Sequence, residues 1–169
     1  MTVSLFTFVD LYGRALDTAA HLLSTGAAFA RESGVGDAEM LGWRLVDDMH
    51  PLGFQLMVVV NFASQWPARV AGLEPPEAIG ADLDVAGFLQ AIGEARAWLA
   101  GLAPGQFAGR DDVPLAFRIG EEMEPTLPSG QWLTVFATTN LYFHLSMAYA
   151  ILRARGAPLG KRDMFASGL

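Results

Sequence analysis

Three histidines, His21, His50 and His144, carry most of the chemistry this chain offers. There is no cysteine, so disulfides, thiolate ligands and a nucleophilic thiol are excluded. An imidazole titrates near neutral pH and serves as metal ligand, general base or hydrogen-bond partner. His144 shares a stripe with Phe136 or Ala137, Asn140, Met147 and Ile151 at i, i+4, i+7 spacing. The stripe reads as the buried side of an otherwise apolar helix. A buried polar group left without a partner costs roughly 1–3 kcal/mol, so the core must answer both His144 and Asn140. Gln55 is the first choice of partner for His144, with Asn140 one turn away.

Asp48, His50 and Gln55 cluster around Pro51. If that junction faces His144, then Asp48, His50, Gln55, Asn140 and His144 converge, and Tyr142 and Tyr149 flank them with hydroxyls that need partners when buried. Histidine plus carboxylate can hold zinc, manganese, nickel or iron. The plainer role for Asp48 is to cap a helix that starts at Pro51. His21 follows Asp17 by four residues on a polar helix face and reads as a solvated i, i+4 contact. At most two histidines then remain for a site. No tightly bound metal is expected; His50 and His144 would be its ligands if there were one. No glycine-rich phosphate loop is present.

The elements that must position these groups are mostly helices. Residues 4–32 predict a first helix, with Leu5, Phe8, Tyr12, Leu16, Ala19, Leu22 and Leu23 at helical spacing. Residues 33–36 end it. Asp37 is an N-cap for a short helix ending near Asp48. Pro51 opens a helix running to about Ala71, which Pro67 should kink or divide. A loop holding Pro75 and Pro76 follows, and Asp82 or Asp84 starts a helix through Leu99. Residues 113–119 and 123–127 predict a small hairpin, weakened by Pro114 and Pro125. Ser129 caps the last long helix, 129–155, which Gly156 and Pro158 stop. The sum is a mainly all-α protein: a four-helix bundle with a short extra helix and a small β-hairpin insert before the last long helix, in a single domain over residues 1–169.

Of the 169 residues, 52% are hydrophobic and 17% charged, enough for one large core. The net charge is −7 and Lys161 is the only lysine, so there is no basic stripe for nucleic acid. The longest apolar run, near residues 52–63, contains Gln55 and Asn61 and falls short of the ~20 residues of a membrane span. No basic leader opens the chain, and a cytoplasmic protein is expected. A mean hydropathy of +0.31 implies surplus apolar surface and hence a homodimer. Trp43, Trp66, Trp98 and Trp132 read as core or interface anchors. Lys161 and Arg162 are expected to dock the tail on the acidic bundle or reach a partner subunit.

Several spaced motifs resemble one family. They are Arg44 and Leu45, residues 48–52 and Gln55, residues 71–76, then Asn140, Tyr142, Phe143, His144, residues 148–153, Gly156 and residues 160–163. Together they resemble DUF1993, a branch of the DinB/YfiT-like helical-bundle superfamily, over essentially the whole chain. The resemblance implies a four-helix bundle, often dimeric. The best-understood superfamily members hold a divalent metal through one histidine on the second long helix and a His-x-x-x-His pair on a later one, and some act on small thiols. Here the position four after His144 is Ala148, so that ligand set does not carry over. The first reading is a bundle with a polar core pocket around His144 that binds a small molecule without a tightly bound metal. Its lining would be Asp48, His50, Gln55, Asn140, His144 and Tyr149. The alternative is a divalent-metal transferase or hydrolase of small thiol-type substrates using His50, His144 and a carboxylate.

Overall fold

The computed structural model describes residues 3–166 and Gly168. Its long helices are α1 (Thr7–Glu32), α3 (Leu52–Ala71), α4 (Val85–Ala100) and α6 (Thr138–Ala154), with a short α2 (Asp37–Leu41). Each long helix buries one stripe. In α1 this is Val9, Tyr12, Leu16, Ala19, Leu23 and Ala30, and in α3 it is Leu52, Leu56, Val59, Ala63, Trp66 and Val70. Spacings of three and four place such residues on one face. α3 packs on α1, α4 and α6, and α1 packs on α4 and α6 as well, which closes a four-helix bundle. Among the described residues no helix is long and apolar enough to cross a membrane.

Helix ends follow local chemistry. The Asp84 side chain accepts from the Gly87 N–H at 2.7 Å and starts α4, so Asp84 rather than Asp82 is the cap. Gly72 ends α3 with φ of 74°, and the Leu73 N–H reaches back to the Ala68 carbonyl. Only glycine adopts that left-handed conformation without steric cost. Pro67 does not divide α3, which continues through it to Ala71.

α2 stops at Leu41, well before Asp48. The Gly42 N–H closes onto the Ala38 and Glu39 carbonyls, and the Trp43 carbonyl then accepts from the Leu52 N–H at 2.8 Å. This bond ties off residues 43–52 as a surface loop. Asp48 lies exposed on it and does not cap α3, whose N-cap position is Pro51, with no side-chain cap.

The insert is a two-stranded antiparallel ribbon, β1 (Pro114–Ala116) against β2 (Thr126–Pro128), extended by a bridge between Ile119 and Met123. Proline is tolerated because each strand has one unpaired edge. A short helical turn, α5 (Ser129–Gln131), a π-helical segment (Trp132–Ala137) and α6 then run on continuously. Ser129 is not a side-chain cap. Its hydroxyl donates to the Val113 carbonyl at 2.9 Å and roots the ribbon on the helix. Trp132 adds a 2.8 Å bond from its indole N–H to the Leu115 carbonyl. The Trp132 ring also stacks on Trp66 at 5.3 Å, with Phe117 and Phe136 packed around the pair. In the π segment the Leu133 carbonyl accepts from the buried Tyr12 hydroxyl at 3.0 Å and from the Thr138 hydroxyl at 2.8 Å.

Beyond α6, residues Lys161–Phe165 form a 3-10 turn against α1. The docking charge there is Asp163, 2.7 Å from the His21 ring nitrogen, while Lys161 and Arg162 stay exposed. Asp17 is not the partner of His21; it pairs with Arg96 at 2.7 Å.

Candidate functional site

The site sits where α3 and α6 cross. Gln55 is 3% exposed on the first turn of α3, and His144 is half-buried on α6. The His144 Nδ1 lies 2.7 Å from the Gln55 Oε1. The other end of the same amide donates from Nε2 to the His50 carbonyl at 2.9 Å. A carbonyl only accepts, so Gln55 must turn its NH2 toward His50 and its oxygen toward His144. An oxygen there only accepts as well, so Nδ1 of His144 carries the hydrogen. Neutral His144 is therefore held as the Nδ1–H tautomer, with the lone pair on Nε2.

Burial above all, and then the nearby His50 imidazole, lower the His144 pKa below the usual 6.5. The ring is therefore neutral at physiological pH. Among the described residues every buried side-chain nitrogen and oxygen has a partner. Nε2 has none, so it lies where solvent reaches it. Aromatic groups flank the His144 ring. Phe54 sits edge-on at 6.1 Å, and exposed Phe143 at 5.1 Å. The exposed His50 ring stacks on Phe54 at 3.8 Å. The arrangement puts one hydrogen-bond acceptor on a histidine flanked by aromatic rings.

The remaining expected members disperse. Asn140 does not meet His144; its amide donates to the Phe136 carbonyl one turn earlier at 2.8 Å. Asp48 is exposed on the loop before His50. Tyr149 is half-buried and has no hydrogen bond to His144, Gln55 or His50. The buried side of α6 is Leu141, Leu145, Ala148, Ile151 and Leu152, so of the expected stripe Ile151 reaches the core while Asn140 and His144 lie on its shoulder. Among the described residues, four cavities on the bundle surface are lined by residues other than His144, Gln55 and His50.

The donor set does not fit a tightly held divalent metal. Gln55 stands on the second long helix facing His144, Ala148 stands one turn beyond it, and the His50 ring stacks on Phe54. Among the described residues no three histidine, aspartate or glutamate side chains come together.

Residues 6–165 match the family described as a domain of unknown function, DUF1993. This chain belongs to the DUF1993 family. A crystal structure of a DinB family member from Shewanella denitrificans superposes with a TM-score of 0.83 at 25% identity, covering 93% of this chain and 88% of that one. The DUF1993 fold is thus DinB-like, in agreement with the bundle and its hairpin insert. No curated protein matches the sequence.

Sequence reasoning passed over Phe54, the ring that neighbours both His50 and His144 in this DUF1993 protein. Its position one residue before Gln55 was the available signal, because α3 turns by about 100° per residue and sets the two on adjoining faces. The His21–Asp163 pair was also out of reach, since 142 residues separate its members.

Proposed function

We propose that this DUF1993 protein binds a small molecule at the α3–α6 crossing, with neutral His144 as the recognition group. The observation that carries the reading is the Gln55 amide, which fixes the tautomer and leaves Nε2 as an accessible acceptor. The ligand would bring an O–H, N–H or S–H donor to Nε2 and rest an apolar part against Phe54 and Phe143. No metal is required for this. Exposed His50 and Phe143 beside half-buried His144 favour a ligand held by one directed bond and ring contacts. A thermal-shift screen of small polar aromatics checks the reading. Hits should lose their effect in His144→Phe and as pH falls far enough to protonate His144. Hits that ignore both changes would refute it.

The same reading includes a homodimer. Val135 and Phe143 are 58% and 54% exposed on the π segment and α6, and they support it. Light scattering that gives a monomer mass at micromolar concentration would reject the dimer and leave the His144 site standing.

A further inference from the structure

We propose that a second site, between α3 and α4, binds a small organic cation of the alkylammonium type. A cavity of about 200 Å³ opens there, away from His144. Its apolar floor is Val60, Ile79, Ala91 and Ala95. The charged side chains that line it are Glu77 and Glu94, both acidic, and no arginine or lysine lines it. The remaining large group is Trp98.

Trp98 packs against the core on one side and differs from the other tryptophans in what its ring meets. Trp66 and Trp132 stack in the ribbon cluster, and Trp43 lies under the Arg155 guanidinium at 5.5 Å. Trp98 is half-buried beside the cavity, and among the described residues it has no aromatic, cationic or hydrogen-bonding partner. An indole face is the strongest natural partner for an alkylammonium group, and carboxylates at the same opening add Coulomb attraction. An anion would meet two like charges here, and a purely apolar ligand would gain nothing from them.

The cavity wall is built in advance. Asn61, Gln65 and Arg69 lie one turn apart on α3. Asn61 clamps Ile79 through both backbone groups, at 2.9 and 3.1 Å. Gln65 donates to the Pro76 carbonyl at 3.1 Å and accepts from Arg69 at 3.2 Å. This ladder staples residues 76–79, the third wall, onto the helix. A ligand entering a wall already in place does not have to order it, which favours binding.

The test follows the four indole N–H signals of 15N-labelled protein, with Trp98 assigned by Trp98→Phe. Choline and methylammonium are titrated against 3,3-dimethylbutan-1-ol, in which carbon replaces the choline nitrogen. The Trp98 signal should move saturably with at least one of the cations, and the alcohol should bind about tenfold more weakly or worse. Rising salt should weaken the cation and spare the alcohol. Glu77→Gln combined with Glu94→Gln should weaken the cation severalfold, with the other three indole signals unmoved as a check on folding. No saturable shift with either cation would overturn the proposal. An equal response to the alcohol, or indifference to the double Glu→Gln change, would overturn it as well.

Discussion

His144 and Gln55 are joined by a 2.7 Å hydrogen bond that links α6 to α3 across 89 positions of sequence, and the far end of the same amide holds the His50 carbonyl. One buried glutamine therefore sets both the tautomer of the histidine and the entry of the chain into α3.

Replacing His144 with leucine leaves the Gln55 Oε1 buried without a donor. Stability should fall by roughly 1–3 kcal/mol. The double change with Gln55→Leu should show a coupling of about 0.5–3 kcal/mol in urea denaturation, because both partners of the bond are then gone. Strict additivity of the two single changes would mean that the bond contributes nothing.

The tautomer is directly observable. Long-range 1H–15N spectra at neutral pH should show a protonated Nδ1 and an unprotonated, pyridine-type Nε2 for His144. The opposite assignment would require the Gln55 amide to be reversed and would remove the basis for an acceptor at the surface.

The pH dependence has a defined sign. The His144 pKa is lowered in the fold by burial and by His50. Between its unfolded value near 6.5 and the lowered folded value, the unfolded chain binds more protons than the native one, so stability falls as pH drops through that window. Asp163, lowered mainly by its bond to His21, adds a second loss as pH falls through its own depressed value. Melting temperatures across acid to neutral pH should show the first drop in wild type, and it should disappear in His144→Leu.

Two glycines give opposite outcomes. A Cβ on Gly26 would sit 2.5 Å from the Leu152 side chain, which is fully buried. Overpacking costs about 1–3 kcal/mol against about 1 kcal/mol gained in helix propensity, so Gly26→Ala should be net destabilising. Gly93, exposed in α4 with nothing near its Cβ position, should instead gain roughly 0.5–1 kcal/mol as alanine. Thermal melts of the two variants separate the cases; equal stabilisation would deny the close approach of α1 and α6.

The long helices are legible in the sequence because their apolar stripes repeat every three or four residues, as in Leu52, Leu56, Val59 and Ala63. The hairpin is legible because extended character resumes between Val113 and Leu127 despite the prolines. The face of α6 is less so. Between Leu141 and Leu152 every residue except His144 and Ser146 is apolar or aromatic, so periodicity does not say whether His144 or Leu145 points to the centre, and the packing of the bundle decides for Leu145. Asp48 misleads for a different reason. A capping residue before a proline looks adequate locally, but the 2.8 Å bond between Trp43 and Leu52 draws the intervening residues out to solvent. The partner of His21 lies on a chain segment far away in sequence and leaves no local signal.

The π segment at Trp132–Ala137 fits an additional residue into the winding of the last helix. In ordinary α-winding one residue corresponds to about 100° of rotation. The segment thus acts as a phase shifter between two halves of one rod. At the start of the segment Trp132 turns toward Trp66 and the ribbon, and in the helix beyond it His144 turns toward Gln55. Deleting a single residue from this stretch would keep the rod intact yet put one half out of step. Length changes in the last helix are therefore constrained in quantity as well as place: the aromatic clamp and the histidine share one angular setting, and neither can be re-aimed alone.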